Sequence, residues 1–116
     1  MATYTKSKLS GSTDGKPILI TATATAGTLI HTAVTGTTSY DEIWLWLVNN
    51  TTADVLVTIE YGDAAAGSNI KYTVLTKDGL KCVLPGVILN NGTTVKVFAE
   101  TGSVISAVGF INQIVN

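Results

Sequence analysis

The chain of 116 residues is 46% hydrophobic but only 13% charged, about half the usual charged share of a soluble domain, so it is one domain with a sizeable core and a charge-poor surface. Its mean hydropathy of +0.37 does not signal a membrane helix, because the longest strongly apolar run, residues 43–48, is far shorter than the ~20 residues a spanning helix needs. The net charge is −1 and all seven basic residues are lysines; without the guanidinium fork that reads phosphates and guanine edges, nucleic acid is not expected as a partner.

Residues 1–16 are polar, rich in Ser, Thr, Lys and Gly, and read as an extended N-terminal arm ahead of a single domain at 17–116. The opening Met1-Ala2-Thr3-Tyr4-Thr5-Lys6 runs into Ser, Gly and Asp, which predicts no secretory signal and synthesis in a cytosol. From 17 to 26 the chain alternates, with Ile18, Ile20, Ala22 and Ala24 on one side and Leu19, Thr21, Thr23 and Thr25 on the other, as a strand that starts at a proline would. A second strand over 28–35 sets Ile30, Thr32 and Val34 against Leu29, His31 and Ala33.

After a loop at 36–40, Ser39-x-x-Glu42 imitates a helix capping box, but the apolar run behind it stops at Asn49-Asn50, too soon for a helix. The run is a strand over 41–48, with Ile43, Leu45 and Leu47 on one face and Trp44, Trp46 and Val48 on the other, so both faces need cover. Residues 55–61 alternate cleanly, placing Val55, Val57, Ile59 and Tyr61 inward and Leu56, Thr58 and Glu60 outward. A small-residue loop at 62–69 leads to a strand at 70–76. Lys77-Asp78-Gly79 predicts a hairpin turn into 80–84, and Asn90-Asn91-Gly92 a second one between 87–89 and 95–100. Thr101-Gly102 turns the chain into a last, mostly apolar strand at 103–115. Eight or nine short strands without helices predict an all-β fold, an antiparallel sandwich or jelly-roll-like barrel.

Residues that can carry chemistry are few. The single cysteine, Cys82, permits no intrachain disulfide and is expected to be a small buried hydrophobe. The single histidine, His31, has no Gly-x-Ser-x-Gly elbow or adjacent partner that would mark a hydrolase triad, and it reads as a strand or interface residue. One His and one Cys some fifty positions apart give no metal-ligand spacing, so neither a metal nor any other cofactor is expected. Gly62-Asp-Ala-Ala-Ala-Gly67 has the glycine spacing of a phosphate loop but is followed by Ser68 and Asn69 rather than Lys and Ser/Thr. Glu60 and Asp63 flank a turn where both would face solvent, which is weak evidence for glycosidase chemistry. The Asn-x-Thr triplets at 49–51, 50–52 and 91–93 read as turn chemistry. The inventory therefore predicts no catalytic residues and no enzyme. Trp44 and Trp46 share a face about 7 Å apart along one strand, a pair suited to core packing or a subunit contact and, in a different role, to stacking sugar rings.

Across Leu9-Ser-Gly-Ser-Thr-Asp-Gly-Lys-Pro-Ile18, then Thr-Ala-Thr-Ala-Thr-Ala-Gly-Thr-Leu-Ile-His-Thr-Ala33 and Asp41-Glu-Ile-Trp-Leu45, the chain resembles small structural proteins encoded among the head genes of tailed bacteriophages. The resemblance implies a virion component, a capsid decoration or cement protein that binds the assembled shell, with the major capsid protein as partner and the capsid surface as its location after synthesis in the bacterial host cytoplasm. It also implies a homo-oligomer, with threefold association the natural geometry at capsid axes. Contact residues expected from this reading are Trp44, Trp46 and, on the arm, Lys8, Leu9, Asp14 and Lys16, with the arm adding main-chain hydrogen bonds to a sheet edge. The competing class is a carbohydrate- or receptor-binding module of a tail or head fibre, in which Trp44, Trp46 and the tyrosines would line a groove.

Overall fold

The computed structural model describes residues 2–116. These form β1 (Thr3–Lys8), β2 (Ile18–Ile20), β3 (Thr28–Thr32), β4 (Tyr40–Asn49), β5 (Val55–Gly62), β6 (Asn69–Val74), β7 (Lys81–Leu89), β8 (Thr94–Ala99) and β9 (Ile105–Val115), with one short 3-10 turn at Ala66–Ser68. The strands make two antiparallel sheets packed face to face. Sheet A has the order β1-β9-β4-β7, with β2 also on β9, and sheet B the order β3-β8-β5-β6.

The residues of β1 and β2 pair with successive stretches of β9, Phe110 to Val115 and then Ile105 to Ala107, so the two are halves of one edge strand interrupted by residues 9–17. Every later connection except β5 to β6 carries the chain from one sheet to the other. Taking β1 and β2 as one strand, this is the wiring of a jelly roll, one of the two architectures expected from the strand spacing. Of the two Gly-containing turns expected to make hairpins, Asn91 and Gly92 take the expected positive φ of 57 and 70, whereas in the other the positive φ falls on Lys77 and Gly79, at 60 and 67, and not on Asp78. They join different sheets, however: β6 pairs with β5 and β7 with β4, so neither turn closes a hairpin. Positive φ fixes the local bend, and the choice of partner strand belongs to the core.

That core is built from the predicted alternations. Ile43, Leu45 and Leu47 of β4 face Val57 and Ile59 of β5 and Val95 and Val97 of β8, all at 0% exposure. Complete burial of such side chains contributes about 1.5–3 kcal/mol each. Gly109 sits opposite Leu45, where a Cβ would stand 2.1 Å from the Trp44 carbonyl oxygen, so only glycine lets β9 lie this close to β4.

Three expectations are corrected. The alternating stretch 17–26 is a strand only over Ile18–Ile20; the Thr/Ala repeat beyond it is a loop that folds onto the outer side of sheet B. The strand expected at 28–35 ends at Thr32, and a register shift between Leu29 and His31 lets both Ile30 and His31 be buried. Residues 3–8, expected as part of an extended arm ahead of the domain, form β1 at the edge of sheet A, with all six side chains exposed.

Candidate functional site

The outer face of sheet A carries the second apolar face expected of the strand at 41–48. Trp44 and Trp46 project from β4 on the side opposite the core, and cross-strand register brings Phe110 of β9 beside Trp44 and Val108 beside Trp46. The rings of Trp44, Trp46 and Phe110 lie within 12–26° of parallel, with centroids 5.9–6.1 Å apart in every pair, and all three are half-buried. A bulge at Gly86 on β7 accommodates the indole: a Cβ there would be 2.8 Å from Trp44 Cζ2. Trp44 Nε1 donates to Glu42 Oε1 at 2.6 Å, and Asn112 Nδ2 donates to the same oxygen at 3.2 Å, so the cluster has one fixed polar end. At the β1 side Lys6 Nζ stands 4.3 Å above the Phe110 ring, a cation–π contact.

The same face continues outward. Leu19 of β2 and Val48 of β4 both pair with Ser106, while Tyr4 and Leu19 are exposed at 72% and 47%. At the Tyr4 end, where Tyr4 and Tyr40 both lie opposite Ile114, Tyr40 and Ile88 open onto a cleft of about 340 Å³ lined also by Leu89, Asn90, Asn91 and Thr93. The half-covered aromatic cluster and these exposed aliphatic side chains thus share the outer side of sheet A.

Of the residues singled out in the sequence, Trp44, Trp46 and Lys8 come together on this face, Lys8 lying opposite Phe110. The version of the Trp pair as sandwich core is corrected: it packs outside the two sheets. Leu9, expected as a contact, is 1% exposed and part of the core. Asp14, at φ 58, and Lys16 are exposed on the loop that follows, away from the aromatic cluster. Cys82, expected to be buried, is exposed, because β7 is an edge strand and its bulged register pairs Cys82 with Trp46 on the outer side while Leu84 faces the core. Phe110, which completes the cluster, sits in an apolar C-terminal run where nothing local sets it apart; only the β4–β9 register reveals it.

Glu60 and Asp63 do not face solvent together. Glu60 is 1% exposed beneath the 21–27 loop, its carboxylate accepting from Thr25 Oγ1 at 2.9 Å and from the Gly27 amide at 2.6 Å. Asp63 is held below the usual carboxylate range by a hydrogen bond from the Ser68 side chain and another from the Ala65 amide. Those bonds fold the Gly62-to-Gly67 segment into a closed turn rather than a phosphate cradle. Tyr61, whose hydroxyl donates to the Ile88 carbonyl at 2.6 Å across the two sheets, has its phenol pushed above its ordinary value by burial.

His31 does meet a carboxylate and a serine. Its Nε2 is 2.6 Å from Asp41 Oδ2, and its Nδ1 accepts from the Ser10 amide at 3.0 Å. Ser10 Oγ instead accepts from the Thr32 amide at 2.7 Å. With both ring nitrogens engaged in this way no ring atom is free to take a proton from the serine, and the group acts as a clamp. Among the described residues no three His, Cys, Asp or Glu side chains converge on a point that could hold a metal ion.

Comparison of the chain with protein-family models, with curated proteins and with solved structures found no match.

Proposed function

We propose that this chain is a non-enzymatic virion structural protein of a tailed bacteriophage, a capsid decoration protein that binds the assembled shell and stabilises it by bridging subunits. The observation that carries the reading is the outer face of sheet A: three near-parallel aromatic rings left half covered in a chain with only 13% charged residues. Half-buried Trp and Phe side chains gain most when a partner finishes covering them, which makes them the anchors of a protein contact. The resemblance carried by residues 9–18, 21–33 and 41–45 to phage head proteins is what suggests the partner class, the major capsid protein. Association of three copies about a capsid threefold axis would repeat the same contact without new chemistry. The site would be the virion surface, reached after synthesis in the bacterial cytoplasm.

The test is to mix the purified chain with expanded, undecorated capsids and look for saturable density on the shell. Saturation at a fixed stoichiometry supports decoration, and absence of binding removes it. A second reading, carbohydrate recognition, is favoured by one feature: Glu42 and Asn112 sit beside the rings in the direction of the Tyr40–Asn90 cleft, a polar and aromatic combination that suits a sugar. Quenching or enhancement of Trp fluorescence by glycans, with no capsid binding, would promote it.

A further inference from the structure

Residues 2–16 are fastened to the sandwich by the pairing of β1 with β9, by Leu9 in the core and by a crossing that meets a buried histidine. Residues 9–17 leave sheet A after β1 and cross to β3 at the edge of sheet B before the chain returns as β2. The crossing lies flat on β3: the Gly11 amide donates to the Ile30 carbonyl at 2.9 Å, and a Cβ on Gly11 would be 2.6 Å from the carbonyl oxygens of Leu29 and Ile30. Ser10 ties this strap to the His31 ring and to the Thr32 amide.

The hydrogen bonds define the state of His31. The Ser10 amide can only donate, so Nδ1 presents its lone pair and the ring hydrogen is on Nε2, donated to Asp41. The imidazole is therefore neutral, and Asp41, 1% exposed, is a buried carboxylate with two donors, His31 Nε2 and the Val34 amide at 3.2 Å. Its Oδ1 is buried without a partner.

One added proton would turn this site into an imidazolium–carboxylate pair and balance the buried charge. The one ring position open to it is Nδ1, where the new N–H would point at the Ser10 N–H. Charge balance at Asp41 and the bond to the strap thus exclude each other. Asp41 from β4 is the charged group that meets the ring. From β8, Val95 lies opposite His31 and Lys96 opposite Leu29, and the charged residues adjoining the strap crossing, Lys8, Asp14 and Lys16, are exposed.

We infer that His31 is a proton-operated latch. Neutral, it holds the Ser10 amide of the strap on sheet B; protonated, it keeps Asp41 and gives up that amide, leaving the strap to the Gly11–Ile30 and Thr32–Ser10 bonds and to Leu9 in the core. β1 has no buried side chain of its own, so with the Ser10 bond gone it rests on its pairing with β9 and on Leu9, and its amides should open more readily.

Because His31 is the only histidine, its ring resonances report the switch without overlap. The experiment is amide hydrogen exchange of the full chain between pH 8 and 5, corrected for intrinsic exchange, with the ring titrated by NMR on the same samples. The expected result is at least a tenfold loss of protection at Ser10, Gly11 and the β1 amides, following ring protonation, with β5 and β8 unchanged. In His31→Gln the strap's protection should no longer depend on pH. Strap amides that stay protected as the ring protonates would overturn the latch, and so would loss at the same pH in His31→Gln. Should His31→Gln fail to fold, the wild-type titration decides: loss of the strap together with β5 and β8 would mean global unfolding and no latch.

Discussion

The two outer faces of the sandwich are treated in opposite ways by the same chain. On sheet B the outward-pointing Glu60 is roofed by the 21–27 loop, which donates two hydrogen bonds to it and rests Gly27 against the Val97 backbone. On sheet A the large apolar side chains Trp44, Trp46 and Phe110 receive no such cover and stack on one another. The chain covers the carboxylate on one face with its own loop and leaves the aromatic cluster on the other half covered.

The contrast can be broken from the sheet B side with the largest expected effect. Glu60→Ala strands the Gly27 amide and the Thr25 hydroxyl beneath the loop, and should cost about 3 kcal/mol in urea unfolding, while leaving contact through sheet A intact in the molecules that remain folded. From the other side, Trp46→Ala should cost about 2 kcal/mol, less than a fully buried tryptophan, with circular dichroism still reporting the native sheet and association lost. Tyr61→Phe, which removes the bond between the sheets, is expected to cost about 1 kcal/mol.

Its pH dependence has a definite sign. Burial raises the folded-state pKa of Tyr61, so the contribution is present below the ordinary tyrosine value of about 10 and is lost as pH rises through the folded value. Wild type should therefore lose stability in alkali faster than Tyr61→Phe, as thermal melts across pH 9–11 would show. The smallest effect is expected at the rim of the aromatic face: Lys6→Ala removes the cation–π contact with Phe110 for about 0.5 kcal/mol, measurable in the same urea series.

Much of this contrast was legible in the residue pattern. The 41–48 stretch announced two apolar faces, and the i, i+2 spacing of Trp44 and Trp46 put them on one side. The inward set Val55, Val57 and Ile59 was equally plain. What could not be read was anything decided by a distant segment. Glu60 occupies an outward position as its alternation demands, yet is buried because a loop more than thirty residues earlier closes over it. The Thr/Ala repeat at 21–26 looks like the strand that precedes it, and only the end of pairing with β9 at Ile20 separates the two. Asn91-Gly92 reveals its backbone angles but not which sheet receives the next strand, and in Lys77-Asp78-Gly79 the positive φ moves from Asp78 to Lys77. Phe110 joins the tryptophans through register alone. Of the arm residues, Leu9 is apolar and enters the core, which its polar surroundings concealed.

The central claim is that the outer face of sheet A is the contact surface, and cosedimentation with undecorated capsids tests it most directly. Two double variants are compared with wild type: Trp46→Ala with Phe110→Ala on sheet A, and Lys71→Ala with Lys96→Ala on sheet B. Each is first shown to be folded by circular dichroism. The expected result is a loss of capsid affinity of at least a hundredfold for the first and wild-type binding for the second. Equal binding by both, or loss confined to the sheet B variant, would contradict the claim.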